Sequence, residues 1–437
     1  MHVQGKPRLI LAKIADKEYN RSIIAAPGYG RALSGVMRGN MKVTFYSNFM
    51  NHHQLPFSLA MDRLTGGKYT FVATEPIPQE RLDMGYRDMN KQYPFILTTY
   101  DSDENMEKAK ALALDSDVII TGSAPEMYTR MRVEQGKLTF RYSERIFKGG
   151  FWNWRTPGRI AKYTSRHAKY RNAPLYMLCT SAFAAADYSM TGAYLNKTYK
   201  WGYFPEVKLQ DTDALMRKKI AASRQGSEQP RVSLLWVARL IGLKHPEAAV
   251  LLAEKLKKNG YRFNLNIIGN GPMERQLKDM IRDRNLVDCV QMLGAMSPDE
   301  VREHMEASDI FLFTSDSNEG WGAVLNEAMN SGCAVVASHA VGAVPFLIRD
   351  GENGLIYRSG DDDSLYERTA RLIDDPKLRD KLGRNAYRTL ADTWNAETAA
   401  ERFLQLAQAL RDGKSPDLFD EGPCSRAQIL KNDWYKG

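Results

Sequence analysis

The amino-acid sequence predicts an α/β protein in which two domains each surround a parallel β-sheet. Its 437 residues exceed what one ordinary hydrophobic core organises, because domains commonly hold about 100–200 residues. Short apolar runs alternate with helical patterns along most of the chain, which is typical of parallel strands buried on both faces. A polar stretch, residues 206–230, divides this alternation into two series. We therefore expect two domains joined by a linker.

The composition excludes several other classes of protein. Hydrophobic residues make up 43% of the chain, which is usual for a globular protein. No apolar run approaches the roughly 18–20 residues of a membrane-spanning helix. The four cysteines lie far apart and form no Cys-x-x-Cys pair: Cys179, Cys289, Cys333 and Cys424. This usage fits a reducing cytoplasm and offers neither a disulfide framework nor a zinc site.

Basic residues are concentrated in the first half of the chain. Of the net charge of +9, residues 1–40 contribute +5 and residues 41–205 contribute +7, so the remainder carries −3. This distribution favours anionic partners such as phosphates, acidic lipids or acidic glycans. The sequence shows no recognisable nucleic-acid-binding motif, so we do not expect nucleic acid among these partners.

The first domain is expected to span residues 41–205. Residues 1–40 carry scattered glycines and no sustained period, so they predict an N-terminal extension outside the fold, with Met41 as the native start. A genuine additional N-terminal element is the alternative. Strands are predicted within the domain at 41–47, 69–74, 117–122 and 174–180.

The second domain is expected to span residues 231–394. Its strands are predicted at 232–237, 263–268, 289–293, 309–313, 334–338 and 354–357, with helices at 246–258, 272–284, 298–307 and 322–330. Strands and helices that alternate at this spacing indicate a doubly wound parallel sheet. Residues 364–411 are predicted to be helical.

Two carboxylates, Glu319 and Glu327, follow the strand predicted at 309–313, where open α/β sheets bind ligands. Gly320 and Gly322 let the backbone approach a ligand closely. Eight helical residues span about 12 Å, which matches the separation of the two diols of a nucleotide sugar. Carboxylates accept hydrogen bonds from hydroxyls, and the helix N-terminus between them suits the diphosphate. The alternative is that both acids are solvated surface residues.

Two further turns fit the same ligand. Arg239 and Lys244 follow the first strand of the second domain, where they can neutralise phosphate charge and the charge that grows on a leaving group. Ordinary surface cations are the alternative. Gly269 and Gly271 predict a tight turn from strand to helix, with Pro272 at the first helical position. A third glycine is missing, so a dinucleotide fingerprint is not supported.

In their order and spacing these segments resemble the donor-binding half of glycosyltransferase family 4, whose members are retaining enzymes of the GT-B fold. The resemblance covers about residues 230–395. It rests on Arg-Leu-x-x-x-Lys at 239–244, Gly-x-Gly-Pro at 269–272, Leu-Gly-Ala-Met-Ser at 293–297, Ala-Ser-Asp at 307–309, the motif at 319–329 that holds both glutamates, and Ser-Gly-Cys-Ala-Val-Val-Ala-Ser at 331–338. It implies two Rossmann-like domains that face each other across a cleft.

The resemblance also implies roles for individual residues. Glu319 would hold the hydroxyls of the donor sugar, Glu327 the ribose, and Arg239 with Lys244 the diphosphate. The base would lie against the backbone around Gly269 and 293–296. The expected catalytic set is Glu319, Arg239 and Lys244, and the donor-binding set adds Gly320, Trp321, Gly322, Glu327, Gly269, Leu293 and Ala295.

Other parts of the chain either extend the family pattern or depart from it. From Trp394-Asn395 onwards the pattern implies that residues 395–437 pack back on the first domain. Members often carry a histidine after a strand of the first domain, whereas this chain has Thr121, Gly122 and Ser123. The position after Lys244 is usually glycine and is His245 here, to which we assign no function.

The acceptor side is expected on the first domain. Asn51, His52 and His53 follow its first strand and are candidate acceptor contacts; capping of the next helix is the alternative. The two histidines lack a third metal ligand at useful spacing. The run 361–363 is acidic but precedes a helical pattern, so we expect it to cap that helix. Enzymes of this type generally need neither metal nor cofactor.

Residues 148–174 contain seven Lys or Arg, no acidic residue and five aromatic residues. Such a segment can rest on an anionic membrane or hold a polyprenyl-diphosphate-linked acceptor. A solvated basic helix with a buried aromatic face is the alternative.

Together these features predict a cytoplasmic retaining glycosyltransferase, peripheral on the inner face of the membrane. It would transfer a sugar from a nucleotide-diphosphate-sugar to a glycan or lipid-linked acceptor in envelope or capsular polysaccharide assembly. Two alternatives stay open: a nucleotide-sugar epimerase of GT-B fold, and a non-catalytic GT-B partner subunit.

Overall fold

The computed structural model describes residues 40–79, 82, 88–148, 156–224 and 231–436. The predicted N-terminal extension therefore lies outside the described residues, apart from Asn40. The same holds for residues 149–155 of the basic aromatic segment and for residues 225–230 of the predicted linker.

The first domain surrounds a parallel sheet of seven strands in the order β3-β2-β1-β4-β5-β6-β7. The strands are β1 (Val43–Ser47), β2 (Tyr69–Ala73), β3 (Ile96–Thr98), β4 (Val118–Thr121), β5 (Thr139–Ser143), β6 (Leu175–Cys179) and β7 (Thr198–Lys200). The sequence predicted β1, β2, β4 and β6, which are almost fully buried. It missed β3 and β7, which have three residues each, and β5, whose second half is only partly buried. Short or half-exposed strands lack the continuous apolar run that predicts a buried strand.

Among the described residues, five α-helices connect these strands: α1 (Leu55–Leu64), α2 (Asp103–Asp115), α3 (Glu126–Glu134), α4 (Thr156–His167) and α5 (Ala184–Ser189). Helices α2 and α3 cover one face of the sheet, where Tyr46 stacks on Tyr128 and donates a hydrogen bond to the carbonyl of Ala109. Helix α1 covers the other face, where Phe57 packs edge-on against Phe45.

The second domain surrounds a parallel sheet of six strands in the order β10-β9-β8-β11-β12-β13. The strands are β8 (Val232–Val237), β9 (Phe263–Ile268), β10 (Val290–Gly294), β11 (Ile310–Phe313), β12 (Ala334–Ser338) and β13 (Leu355–Tyr357). All six predicted strands are present within one residue of their predicted ends. The predicted fold class, two parallel-sheet α/β domains, is thereby confirmed.

The helices that follow are α6 (Thr212–Arg224), α7 (Pro246–Lys258), α8 (Glu274–Asp283), α9 (Pro298–Ala307), α10 (Val324–Asn330), α11 (Val344–Leu347), α12 (Asp362–Asp374), α13 (Pro376–Arg388) and α14 (Ala396–Arg411). The side chain of Asp361 accepts the N–H of Ser364, so the acidic run caps α12 as predicted.

Helix α6 corrects the prediction that residues 206–230 form only a linker. Its Lys219 is buried, and the ammonium group donates to the carbonyls of Met305 and Ser308 at 2.8 and 2.6 Å. These carbonyls belong to the C-terminal end of α9, which α6 thereby caps. The polar composition was misleading because a buried lysine here satisfies helix-end carbonyls instead of facing water.

Helix α14 returns to the first domain. Phe403 packs against Phe57 and Phe140 with ring centroids 6.5 and 5.1 Å apart, and Glu397 pairs with Arg63 on α1. The helix therefore closes the face of the first sheet that α1 covers.

The C-terminal tail contacts both domains. Its Ser425 accepts the N–H of Lys200 at 2.7 Å, alongside edge strand β7 of the first sheet. Further on, the indole of Trp434 donates to the carbonyl of His339, and the hydroxyl of Tyr435 donates to the carbonyl of Ile356. These last contacts lie on the second domain, whereas the sequence placed the tail on the first domain alone.

Candidate functional site

Two loops that leave neighbouring strands of the second sheet are bound to each other. Thr314, directly after β11, donates a hydrogen bond to the carbonyl of Lys244 at 2.6 Å and accepts one from the indole of Trp236 at 2.8 Å. The N–H of Asp316 donates to the carbonyl of Leu243 at 3.0 Å. These contacts fix residues 239–245 against residues 314–319 at the carboxyl edge of the sheet, where open α/β folds bind ligands.

Lys244 and Glu319 meet in this loop pair. The ammonium group of Lys244 donates to Oε2 of Glu319, and the two side chains are only 14% and 15% exposed. The hydroxyl of Ser315 donates to the same oxygen at 3.3 Å. The structure thus brings together a cation and an anion that the sequence assigned to one ligand from segments 75 residues apart.

His245, to which the sequence assigned no function, also connects the 239–245 and 314–319 loops. Its ring nitrogens lie 2.8 Å from Oε1 of Glu247 and 3.2 Å from Oδ2 of Asp316. Burial disfavours the charged ring, but hydrogen bonds to these two carboxylates outweigh burial and raise the pKa of His245. Its φ of +48° lies in the left-handed region, which glycine adopts more readily than histidine does.

The turn after β9 packs tightly on the loop that carries Arg239. Gly269 and Gly271 have φ values of +140° and +153°, and a Cβ atom on either would overlap the carbonyl of Ala238 or of Leu240. Glycine is therefore required at both positions. The side chain of Arg239 is exposed, and no hydrogen bond or ion pair to another described residue engages it.

The predicted base-binding residues lie beside this turn. The N–H of Gly269 donates to the carbonyl of Gly294 at 2.8 Å, which places the end of β10 next to the turn. Leu293 is partly buried and Ala295 is exposed, so both stand at the rim of the same edge. The structure thus groups Gly269, Leu293 and Ala295.

Glu327 lies on α10, in the second half of the motif. Burial raises the pKa of its carboxyl group, and the positive charge of Arg302 opposes this rise only in part. Arg302 itself donates to the side-chain carbonyl of Asn330, not to the Glu327 carboxylate. Within the described ranges no hydrogen bond reaches that carboxylate, so its accepting capacity is available.

Trp321, a member of the predicted donor-binding set, has a fully buried side chain. The indole N–H donates to Oδ1 of Asn326 at 2.9 Å, and the ring lies so close to Gly202 that a Cβ atom there would overlap it. The ring also packs 6.0 Å from that of Trp394. Trp321 therefore anchors the motif to the core of the protein instead of offering its ring to a ligand.

The glycines on either side of Trp321 lie close to neighbouring protein groups. A Cβ atom on Gly322, whose φ is +85°, would overlap the ring of Phe313. A Cβ atom on Gly320 would overlap the carboxylate of Glu144 from the first domain. Glycine at both positions therefore accommodates these neighbours, and close approach of the backbone to a ligand stays a prediction.

Glu144 is a cleft residue that the sequence analysis missed. It directly follows β5, and its Oε1 and Oε2 accept hydrogen bonds from the hydroxyl of Tyr203 at 2.7 Å and from the ammonium group of Lys148 at 2.6 Å. The ring of Tyr203 lies 4.1 Å from that of His53 between centroids. The position after a strand would have marked Glu144 as a candidate, but β5 itself was not predicted.

The predicted acceptor residues lie near this cluster. The carbonyl of Asn51 accepts the N–H groups of Gln54 and Leu55, so this residue helps to start α1. His52 is exposed, with its ring 4.9 Å from that of His53. Of these three predicted residues, His53 is linked to Glu144 through Tyr203: its ring packs on the ring of Tyr203, whose hydroxyl donates to Glu144. Asn51 serves at least in part the helix-start role that was the alternative.

The two domains touch through the loops that follow their strands. Besides the contact of Gly320 with Glu144, the N–H of Ala182 after β6 donates to the carbonyl of Gly342 after β12 at 2.8 Å. A Cβ atom on Gly342 would overlap Ser181 and the carbonyl of Gly320. The carboxyl edges of both sheets therefore face the same cleft.

Among the described residues, no group of three or more His, Cys, Asp or Glu side chains is arranged to hold a metal ion. In the same part of the chain, every helix is too short or too polar to cross a membrane.

Comparison with known proteins identifies the second domain. The family model described as Glycosyl transferases group 1 matches residues 218–389. The chain is 28% identical over 246 residues to alpha-D-kanosaminyltransferase of Streptomyces kanamyceticus, covering 56% of this chain and 62% of that protein. It is 36% identical over 154 residues to the amylovoran biosynthesis glycosyltransferase AmsK of Erwinia amylovora, covering 34% and 37%. These matches span about one to two thirds of the relatives' length.

Solved structures share the whole fold. Anabaena HepE in complex with UDP superposes with a TM-score of 0.62 at 15% identity, over 85% of this chain and 100% of HepE. Sucrose-phosphate synthase of Thermosynechococcus elongatus gives 0.59 at 16% identity, over 85% and 99%. At these identities the likeness shows the fold alone. Residues 218–389 thus match the Glycosyl transferases group 1 family model, within a chain of GT-B fold.

Proposed function

We propose that the protein is a retaining glycosyltransferase of family 4 that moves a sugar from a nucleotide-diphosphate-sugar to a hydroxyl acceptor. The observation that carries the proposal is the meeting of Lys244 and Glu319 at the cleft between the two sheets. Both residues lie at the carboxyl edge of the second sheet, and the first domain faces them. The relatives named above are glycosyltransferases, and HepE was solved with UDP and with UDP-glucose.

The two halves of the donor fit different parts of this edge. Glu319 accepts hydrogen bonds from hydroxyls of the sugar, and Lys244 then exchanges its contact with Glu319 for the diphosphate. Arg239 adds a second cation from the same loop. The carboxylate of Glu327 accepts hydrogen bonds from the ribose hydroxyls. The base lies at the rim formed by Gly269, Leu293 and Ala295.

The reaction follows from this charge distribution. As the bond from the anomeric carbon to the phosphate oxygen breaks, negative charge grows on the diphosphate, where Lys244 and Arg239 stabilise it. The acceptor hydroxyl attacks the anomeric carbon on the face that the diphosphate leaves, and the departing phosphate oxygen takes the hydroxyl proton. The configuration is retained, and no protein nucleophile, metal ion or cofactor takes part in the proposed step.

The acceptor is proposed to be a glycan or polyprenyl-diphosphate-linked glycan at the inner face of the cell membrane, in envelope or capsular polysaccharide assembly. Relatives include the amylovoran biosynthesis enzyme and a lipopolysaccharide core biosynthesis glycosyltransferase of Rhizobium meliloti. On the first domain, Lys162, Arg166 and Lys169 at α4 are exposed. Leu195 is 59% exposed, and its neighbour Tyr194 bonds the end of α4 through His167. Cations beside an apolar side chain suit an anionic bilayer.

The proposal is tested with a panel of UDP- and GDP-sugars, by measuring nucleotide release with and without methyl glycosides and polyprenyl-diphosphate-linked sugars. One donor is expected to release nucleotide faster with an acceptor, and NMR of the product should show the donor's anomeric configuration. Conversion of the donor sugar without an acceptor would identify an epimerase. Failure to bind or cleave any donor would favour a non-catalytic subunit.

A further inference from the structure

We propose that Glu144 binds the acceptor and orients its reacting hydroxyl group. This inference rests on the proposed function and adds a residue of the first domain to a site otherwise built from the second. Glu144 is the first residue after β5, so it lies at the carboxyl edge of the first sheet. Its carboxylate touches Gly320, the neighbour of Glu319 in the donor loop.

The Glu144 side chain is held in a defined position. The hydroxyl of Tyr203 and the ammonium group of Lys148 each bind one carboxylate oxygen, at 2.7 and 2.6 Å. Burial raises the pKa of Tyr203 well above its usual value, so its hydroxyl keeps the proton that it donates. The Glu144 side chain still has 27% of its surface exposed. A carboxylate offers about four acceptor positions, so it can accept further hydrogen bonds from the cleft.

The position of Glu144 relative to Glu319 suggests its role. Because Glu319 is proposed to grip the donor sugar, a carboxylate packed on the next residue stands beside that sugar. An acceptor that enters between the domains meets Glu144 on one side and the donor on the other. A carboxylate is a strong acceptor for a hydroxyl hydrogen, so it can point the hydroxyl oxygen at the anomeric carbon.

The competing explanation is that Glu144 only stabilises the contact between the two domains. The hydrogen bonds of the Glu144 carboxylate with described residues all come from Tyr203 and Lys148, which precede the second domain. None comes from the 319–323 backbone, which touches the carboxylate only by van der Waals contact at Gly320. A residue that stabilises the domain contact would be expected to form hydrogen bonds with the 319–323 backbone. A residue that binds a ligand is expected to be held by its own domain.

The experiment measures steady-state kinetics of Glu144→Gln with the best donor of the panel and the methyl glycoside that gives the fastest acceptor-dependent release. The amide keeps the size of the side chain but loses its charge, so kcat/KM for the acceptor should fall about 10- to 100-fold, with a raised acceptor KM. Donor hydrolysis without acceptor, and the calorimetric affinity for the nucleoside diphosphate of that donor (UDP or GDP), should stay within about 2-fold of wild type. Glu144→Asp, which keeps the charge, should recover part of the loss.

The matched control is Glu104→Gln on α2. This residue also forms an i,i+4 ion pair, with Lys108 at 2.7 Å, but it is 76% exposed and outside the cleft residues described above. It should leave all kinetic constants unchanged. The inference is overturned if Glu144→Gln keeps wild-type acceptor kinetics, or if it loses affinity for the donor's nucleoside diphosphate and donor hydrolysis together with transfer. A wild-type protein that cleaves no donor would instead refute the proposed function itself.

Discussion

Lys244 and Glu319 form an ion pair between two loops of the second sheet, although 75 residues separate them in the chain. Thr314 and Asp316 hold the backbones of these loops together, so the pairing is built into the fold instead of depending on two flexible side chains. In the proposed function, the donor exchanges this contact for its own sugar hydroxyls and phosphates. The ion pair therefore places side by side the two side chains that are proposed to bind the sugar and the diphosphate.

Replacing Glu319 should separate sugar binding from nucleotide binding. We expect Glu319→Gln to lower turnover of the preferred donor about 100-fold or more, because the amide is a weaker acceptor for the sugar hydroxyls in the transition state. UDP affinity should stay within about 3-fold or increase, because Lys244 no longer has a competing carboxylate. Calorimetry with UDP and donor turnover measure the two effects. Equal losses of nucleotide affinity and of donor turnover would contradict the assignment of Glu319 to the sugar. Lys244→Gln, which should weaken nucleotide binding as well as turnover, serves as the comparison.

Replacing Glu327 should stabilise the protein while weakening ribose binding. Its carboxyl pKa is raised, so the folded state binds this proton more tightly than the unfolded state. The folded wild type is thus most stable, as far as this group is concerned, at acidic pH. It loses stability as the pH rises through the raised pKa of Glu327. Glu327→Gln should therefore be more stable than wild type at pH 7, and the difference should shrink on acidification.

Urea unfolding at several pH values measures this difference. The nucleotide affinity of the same variant should fall about 10- to 100-fold, because the charged carboxylate that accepts the ribose hydroxyls is lost. Glu303→Gln on α9, an exposed carboxylate, is the control for a general charge effect. A Glu327→Gln protein that is less stable at pH 7 would show that the carboxylate has a stabilising partner.

His245 should make stability depend on pH in the neutral to alkaline range. Hydrogen bonds to Glu247 and Asp316 raise its pKa, so the charged ring stabilises the fold fully below the unfolded pKa of about 6.5. That stabilisation is lost as the pH rises through the folded-state pKa. The stability difference between wild type and His245→Gly should therefore decline above about pH 6.5.

At high pH the glycine variant should become the more stable protein, because glycine adopts the left-handed backbone without the roughly 1 kcal/mol penalty of other residues. His245→Asn separates the effects, since asparagine tolerates this conformation without the charge. A pH-independent difference between wild type and glycine variant would refute the role of the imidazolium.

Trp321 should matter for stability more than for donor binding. Trp321→Phe removes the indole N–H and leaves Oδ1 of Asn326 without that donor, at a cost of about 1–3 kcal/mol. Donor KM should stay within about 3-fold of wild type, because the ring is buried against the core. Chemical unfolding and donor kinetics on the same preparation check both values. A donor KM that rises strongly without loss of stability would place the indole in the binding site after all.

The basic face at α4 should control membrane binding. Reversing the charges of Lys162, Arg166 and Lys169 removes three cations that are each worth about 1 kcal/mol near an anionic surface. Co-sedimentation with vesicles containing anionic lipid should therefore fall at least about 100-fold in affinity. Reversal of Lys258, Lys278 and Arg282, exposed cations of the second domain, is the matched control. Equal binding by the two variants would show that α4 is not the contact face.

The sequence by itself determined the second sheet and the identity of its loop residues. The six strands are apolar and well separated by turn residues, and the charged residues of the cleft, Arg239, Lys244, Glu319 and Glu327, follow or flank strands that the pattern predicts. Local periodicity was sufficient to predict these strands, and the position after a strand predicted which loops lie at the carboxyl edge, because parallel strands place all their carboxyl ends at one edge.

Only the tertiary structure decided which neighbours these residues meet. The sequence cannot show that Gly320 faces Glu144, since they belong to different domains and 175 intervening residues lie between them. Nor can it show that Trp321 turns into the core while Lys244 turns to Glu319. Periodicity reports which face of an element is buried, whereas the partner on that face depends on how distant elements pack.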